Sequence, residues 1–324
     1  MKQKILALLK LYGEVRVSQI MEELGVSRQY IHRVLSEMQM EGVVEKLGTA
    51  PLTYYRLKQV SDQSTVIIAI SDEKATFLKE HFLWISETGE RLEGLEAMIR
   101  WCRRQKLPVE KTIDEFILTR KKYLKYFDKN GLISGVDKIK NTVGFPTIGL
   151  DELYYQDFYA IERFGKTKLG SLLHFAKQGQ SRELIQEIAD RIKPTLLQLI
   201  ATSKIEAVGF IPPTIQRDVQ FMSVLESRLN LQLPQVHLVK VKGQIVVPQK
   251  ALSKLEDRIQ NARSSIMIGE KKQFGRILLI DDAVGSGATI NETSIKLKAR
   301  GTAKTIIGYA ITGSYKGFDV IQEV

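Results

Sequence analysis

This chain of 324 residues is poor in cysteine, histidine and long apolar runs. Its one cysteine, Cys102, excludes a disulfide within the chain and fits a reducing compartment. One cysteine and four histidines leave too few soft ligands for a zinc site of the usual kind. No apolar run approaches the roughly 20 residues that a membrane span requires, so no membrane partner is expected. Near the N-terminus, Ile5 to Leu9 is apolar between Lys4 and Lys10, with no cleavage-like site after it. It reads as a helix rather than a signal peptide. The expected location is the cytoplasm. Acidic residues are also in deficit, 37 against 48 Lys and Arg, for a net charge of +11. That balance favours a polyanionic partner, either nucleic acid or several phosphates. The remaining composition, 44% hydrophobic and 26% charged, is that of an ordinary globular chain. Its length suggests two or three domains.

The most informative stretch runs from Arg276 to Thr289, reading Arg-Ile-Leu-Leu-Ile-Asp-Asp-Ala-Val-Gly-Ser-Gly-Ala-Thr. Ile277 to Ile280 have the pattern of a buried parallel strand. Asp281 and Asp282 follow, then a turn of small residues, then a helical pattern from Ile290 to Arg300 closed by Gly301. Ligands of open α/β sheets bind at the carboxyl ends of strands, where this acid pair stands. Gly285 and Gly287 allow backbone to approach a phosphate and tolerate positive φ. Amides of the turn and of the following helix N-terminus face such a phosphate. Ser286 and Thr289 add hydroxyl donors, while ionised Asp281 and Asp282 only accept, which suits two vicinal hydroxyls of a ribose. Diol on one side and phosphate on the other describe a ribose-5-phosphate. The plainer alternative is an ordinary strand–turn–helix whose acids cap the helix.

This stretch resembles the signature of type I phosphoribosyltransferases, which bind phosphoribosyl pyrophosphate (PRPP). The resemblance implies that Asp281 and Asp282 are catalytic residues holding the ribose hydroxyls. It assigns the PRPP phosphate to the loop, here Ala283, Gly285, Ser286, Gly287, Ala288 and Thr289. Many members carry two Thr where this chain has Gly285-Ser286, so one hydroxyl is lost. Mg2+ is implied together with PRPP. A closer likeness, to ComF-like competence phosphoribosyltransferases, covers roughly residues 150 to 312. It is carried by Phe164-Gly165-Lys166, by Ile211-Pro212-Pro213 with Arg217 and Gln220, and by Gln249, Leu252, Arg258 and Asn261. Arg217 and Arg258 are candidates for the pyrophosphate side, since guanidinium forks onto phosphate oxygens. Arg258 has the alternative of pairing with Glu256 or Asp257. ComF-like proteins often carry Cys-rich zinc modules, and this chain has none.

Residues 1–58 read as a separate domain. A helical stripe (Ile5, Leu6, Leu8, Leu9, Tyr12) ends at Gly13. A short helix follows from Ser18 to Leu24, a turn at Gly25-Val26, and a third helix from Arg28 to Glu41 with Ser27 as N-cap. Val43 to Lys46 and Thr53 to Leu57 read as two strands. The order resembles bacterial winged helix-turn-helix domains. There the third helix enters the major groove, which would bring Ser27, Arg28, Gln29, Tyr30, His32 and Arg33 to DNA, with Lys46 and Arg56 on phosphates from the wing. A winged helix used for protein contacts or dimerisation is the alternative. Nine Lys and Arg against six Glu make the domain mildly basic.

Val60 to Thr65 reads as a polar linker. Residues 66–147 read as a helical connecting region, with a short strand at Val66 to Ile70, a helical stretch from Asp72 to Lys106 and another after Pro108. Its basic clusters, Arg100 to Lys106 and Arg120 to Lys125, are solvated faces or an extension of a nucleic-acid surface. Residues 148–324 show an α/β pattern. Strands are expected at Ile205 to Ile211, Val236 to Val241, Ile277 to Ile280 and Thr305 to Ile311. A helix is expected over Ser181 to Ser203, interrupted at Pro194. The expected architecture is a type I phosphoribosyltransferase-like, doubly wound, mostly parallel sheet with helices on both faces.

A winged helix joined to such a domain resembles purine-repressor-type regulators. It implies a PRPP- or nucleotide-responsive DNA-binding protein in transcription regulation, acting as a homo-oligomer or with other proteins. The other reading is an active phosphoribosyltransferase or nucleotide-processing effector, in a toxin–antitoxin or retron-like antiviral defence system. No nucleobase-recognition motif is legible, so no acceptor is named.

Overall fold

The computed structural model describes residues 1–48, 53–58, 70–86, 89–142, 144–215, 217–241, 252 and 254–314. The chain forms two compact units, Met1–Ala69 and Ile70–Val324.

The first unit runs α1 (Lys2–Tyr12), β1 (Glu14–Val15), α2 (Val17–Leu24), α3 (Arg28–Met40), β2 (Val44–Leu47) and β3 (Tyr54–Leu57). The strands form an antiparallel sheet in the order β1-β3-β2, with Glu14 opposite Arg56 and Val44 opposite Leu57. Strand β1 has no sequence signal, because two residues are too few to show a period of two. Ile5, Leu9, Ile20, Ile31, Leu35, Met38 and Tyr55 close the core. Residues 49–52 of the β2–β3 turn, the linker at Val60 to Thr65 and the strand expected from Val66, all but Ile70, lie outside the described residues.

The second unit begins with α4 (Asp72–His81), a hairpin of β4 (Leu83–Ile85) and β5 (Arg91–Glu93), α5 (Gly94–Gln105) and α6 (Val109–Leu124). The helical stretch expected over Asp72 to Lys106 is therefore split by a hairpin. Leu83, Trp84 and Ile85 pair with Glu93, Leu92 and Arg91. So short an apolar run fits either period, and tertiary pairing decides it.

Next come β6 (Ile133–Ser134), α7 (Val136–Asn141), β7 (Glu152–Phe158), α8 (Lys168–Gln178), α9 (Arg182–Thr202), β8 (Ala207–Phe210) and α10 (Phe221–Leu229). The chain continues with β9 (Leu238–Lys240), α11 (Leu255–Ser265), β10 (Ile266–Ile268), β11 (Phe274–Val284), α12 (Ala288–Ala299) and β12 (Ala303–Gly313). Helix α9 passes through Pro194 without interruption. Its apolar face, Ile185, Ile188, Ala189, Ile192, Leu196 and Leu199, is buried on both sides of the proline. Burying one such side chain yields about 1.5–3 kcal/mol, so the stripe together outweighs the ~3 kcal/mol that an interior proline costs.

The main sheet has the order β6-β7-β12-β11-β8. Strands β7, β12, β11 and β8 are mutually parallel, and β6 is an antiparallel margin. The stretch expected as a strand at Val236 to Val241 touches this sheet only at its start, where the Val236 N–H donates to the Val208 carbonyl of β8 at 2.8 Å. Its core, β9, pairs antiparallel with β10. Along β11, Ile277 and Leu279 enter one core cluster while Leu278 and Ile280 enter another. The first cluster also holds Met98, Ile113 and Phe116 of the 70–124 region and Ile290 and Leu297 of α12. The second holds Leu172, Ile188, Leu196 and Leu225 of α8, α9 and α10. Helices thus cover both faces of a mixed α/β sheet.

Candidate functional site

Strand β11 reaches further than its neighbour β8. Their pairing ends at Ile280 opposite Phe210, and the last bond runs from the Ile211 N–H to the Ile280 carbonyl. Pro212 and Pro213 follow, and neither has an N–H with which to extend the ladder. Pairing with β12 continues to Val284. Asp281 and Asp282 therefore lie within β11, not beyond its end as the hydrophobic run suggests. They occupy the part of the strand that β8 has left.

The two carboxylates have different surroundings. Asp282 Oδ2 accepts from Lys177 Nζ of α8 at 2.6 Å. Asp281 Oδ1 accepts the Asp282 N–H at 2.8 Å. Burial and the adjacent Asp282 charge push the Asp281 carboxyl up to about 7, while Lys177 and Lys240 act in the opposite direction. Burial in turn lowers the Lys240 ammonium, with Asp281 opposing that shift. The arrangement is an acid pair under the influence of two ammonium groups, with one acid that changes its charge close to physiological pH.

The following turn is held from several directions. Positive φ falls at Gly287 (82°), the residue before α12, and not at Gly285. A Cβ at Gly287 would meet Ile139 Cδ1 at 2.7 Å. Ser286 Oγ accepts the Ala288 N–H at 3.3 Å, which leaves its own proton to donate. The first amides of α12 have no acceptor within the helix and face the turn. Ala288 is buried, and Thr289 is half-buried.

Lys138 of α7 supplies a contact that the sequence did not announce. Its Nζ donates to the Gly285 carbonyl at 2.6 Å, to the Ser314 carbonyl at 3.1 Å and to Ser314 Oγ. The Ser314 N–H donates to the Val284 carbonyl at 3.1 Å. One ammonium thus ties the ends of β11 and β12 to a helix about 147 residues upstream of the loop. Helix α12 carries Asn291, Glu292, Thr293 and Ser294 fully buried. Asn291 Oδ1 accepts from the Gly149 N–H and its Nδ2 donates to the Thr147 carbonyl, both at 2.9 Å. Glu292 pairs with Arg263 at 3.0 Å. These polar partners fix the helix that opens at the loop.

The two candidate arginines are placed differently. Arg217 is exposed and its guanidinium donates to the carbonyl of Lys177, the residue whose ammonium is bonded to Asp282. Arg258 donates to the Leu252 carbonyl at 2.7 Å, and burial lowers its pKa. Gln249 lies outside the described residues.

In the first unit, α3 buries Ile31, Val34, Leu35 and Met38. Ser27, Arg28, Gln29, His32 and Arg33 are exposed on its other side, with Tyr30 half-buried. Ser27 Oγ accepts the Tyr30 N–H at 3.4 Å, and the Arg33 guanidinium lies 5.0 Å from the Tyr30 ring centre. Lys46 and Arg56 are exposed on β2 and β3, but Arg56 Nε is paired with Glu45 at 2.5 Å.

No protein-family model and no curated protein matches this chain. Among solved structures it resembles type I phosphoribosyltransferases over about half its length. An adenine phosphoribosyltransferase aligns at 15% identity and a TM-score of 0.28, covering 44% of this chain and 78% of that one. A hypoxanthine phosphoribosyltransferase from Staphylococcus aureus aligns at 16% identity and TM-score 0.24, covering 44% and 81%. An adenine phosphoribosyltransferase from Trypanosoma brucei, solved with AMP, pyrophosphate and ribose-5-phosphate, aligns at 10% identity and TM-score 0.27, covering 53% and 85%. No helix among the described residues is long and apolar enough to cross a membrane.

Proposed function

We propose that the second unit binds PRPP, or a ribose-5-phosphate nucleotide, at the end of β11. The first unit, on this reading, is a winged helix-turn-helix that binds DNA, and the whole is a PRPP- or nucleotide-responsive regulator. The observation that carries the reading is the acid pair on the part of β11 abandoned by β8, followed at once by the amide-rich turn at Gly287. Asp281 and Asp282 accept from the ribose hydroxyls. The amides from Gly285 to Thr289, with the Ser286 and Thr289 hydroxyls, receive the 5′-phosphate. Arg217, beside Lys177, faces the departing or retained pyrophosphate, and Arg258 is the second candidate there.

Among the described residues no three His, Cys, Asp or Glu side chains gather to hold a metal. The carboxylate oxygens of Asp281 and Asp282 are hard donors that suit Mg2+ carried in on substrate phosphates and waters. When bound, that ion would offset pyrophosphate charge.

In the first unit, Ser27, Arg28, Gln29, Tyr30, His32 and Arg33 present base-reading groups, and Lys46 and Arg56 reach phosphates. Arg56 must first part from Glu45. Paired half-sites favour a homo-oligomer on DNA. Regulation requires only that PRPP favour one of two DNA-binding states over the other.

The test is calorimetric titration of PRPP with Mg2+ into the wild type and into Asp281→Ala/Asp282→Ala, with pyrophosphate release followed against bases and nucleotides. DNA affinity is measured with and without PRPP. Binding lost in the variant, no pyrophosphate released and a PRPP-dependent change in DNA affinity support the regulator. Release that depends on the two acids makes the protein a phosphoribosyltransferase. Absence of PRPP binding overturns the assignment.

A further inference from the structure

Beside Ser314 the second unit contains a cavity of about 1010 Å3, walled by β4, α5, the end of α6, the 159–166 loop and α8. It is at the upper end of the size range of small-molecule sites. Its lining joins two chemistries. Trp84, Trp101, Phe164, His174 and Phe175 present rings. Trp101 and Phe164 are 5.9 Å apart and tilted, and Trp84, Trp101, His174 and Phe175 are only half-buried. The charged lining residues are Arg104, Lys122, Arg163 and Lys166 against a single acid, Glu162. Lys122 is bonded to Glu162 at 2.7 Å, and the Arg163 guanidinium lies 4.9 Å from the Phe164 ring centre while pairing with Glu115.

Half-exposed rings bind a flat aromatic group by stacking. Guanidinium groups bind phosphate oxygens in pairs. An apolar ligand would not need the cations, and inorganic phosphate would not need the rings. We infer that this cavity is a second nucleotide site, in which a base stacks on the tryptophans and its phosphate meets Arg104 and Arg163. Its lining includes none of the acids or loop residues assigned to PRPP. Among the described residues, Ser314 connects the two, since Lys138 joins it to the Gly285 carbonyl. The same ligand chemistry is offered by a free mononucleotide and by the 5′-phosphorylated end of a strand.

The chain's two tryptophans both line the cavity, so their fluorescence reports its occupancy. The full-length protein is titrated with AMP, with adenosine, with inorganic phosphate and with a short 5′-phosphorylated DNA strand. Saturable quenching is expected from AMP or from the strand, and whichever binds more tightly identifies the source. Adenosine should bind about ten-fold more weakly or worse, because the charged hydrogen bonds are missing. Phosphate alone should not quench. Arg104→Glu and, separately, Arg163→Gln change exposed side chains and should each weaken AMP about ten-fold or more, with PRPP calorimetry unchanged. Asp281→Asn/Asp282→Asn should lose PRPP and keep AMP quenching. Quenching lost with the acids but kept in both arginine variants places AMP on the phosphate loop and overturns the second site while sparing the PRPP reading. Equal binding of adenosine and AMP, or no quenching at all, also overturns it.

Discussion

Gly287→Ala tests the construction of the loop most directly. Gly287 has φ 82° immediately before α12, where an L residue costs about 1–2 kcal/mol. Its new methyl would stand 2.7 Å from Ile139 Cδ1 and 3.1 Å from Ile139 Cγ1, and relief of such overpacking costs about 1–3 kcal/mol. The total expected loss is therefore about 2–5 kcal/mol. Urea denaturation followed by tryptophan fluorescence measures it in the right place, since Trp84 and Trp101 are the only tryptophans and both belong to the second unit. The two terms separate in a double-mutant cycle. Ile139→Val removes Cδ1, so Gly287→Ala should cost about 1 kcal/mol or more less in that background. Calorimetry adds a functional reading, because α7 carries both Ile139 and Lys138. Pushing α7 away draws Lys138 from the Gly285 carbonyl, and PRPP affinity falls. A loss below about 0.5 kcal/mol, the level of an ordinary surface change, would refute the reasoning. So would a cost that is identical with Val at position 139.

Three further outcomes are expected. Asp281 holds its proton more tightly folded than unfolded, so stability should decline as pH rises from the ordinary carboxylate range through about 7. Asp281→Asn should flatten that decline in denaturation series from about pH 5 to about pH 8, while wild-type PRPP affinity rises over the same window as the carboxylate forms. Lys138→Met removes an ammonium from two carbonyls and a hydroxyl; stability should fall about 1–3 kcal/mol, with weaker PRPP binding by calorimetry. The buried pair of Arg120 and Asp157, joined at 2.9 and 2.8 Å, predicts a loss of about 3–5 kcal/mol for Arg120→Ala. Arg120→Met/Asp157→Leu should recover most of it in the same melts, because no unpaired charge remains.

Much of the α/β unit was legible because its strands are buried on both faces. Ile277 to Ile280 form an unbroken apolar run because Ile277 and Leu279 enter the core cluster that holds α12 residues, while Leu278 and Ile280 enter the one that holds residues of α8, α9 and α10. At Val236 to Val241 the strand forms as β9, but the run, broken by His237 and Lys240, does not say that its partner is β10 rather than the main sheet. The signal failed at Leu83 to Ile85, where three apolar residues fit a helix or a hairpin equally. In the candidate site, the acids and glycines announced themselves through local spacing. Two things did not. The acids lie inside β11 because Pro212 and Pro213 end β8, a fact of pairing rather than of the acids' own neighbourhood. Lys138 reaches Gly285 only after the chain closes on itself, and a lone lysine in a short helix carries no mark of that destination.

The margins of the main sheet are its shortest strands. Strand β6 has two residues and β8 has four, against eleven in each of β11 and β12. The outer side of β8 is partly taken as well, since Val208 exchanges hydrogen bonds with the chain at Pro234 and Val236. The proline pair that opens the acid-bearing end of β11 therefore has a second effect. It offers an incoming strand no amides beyond Ile211 with which to extend the sheet. One dipeptide thus both ends the pairing beside Asp281 and Asp282 and blunts the edge strand of the sheet.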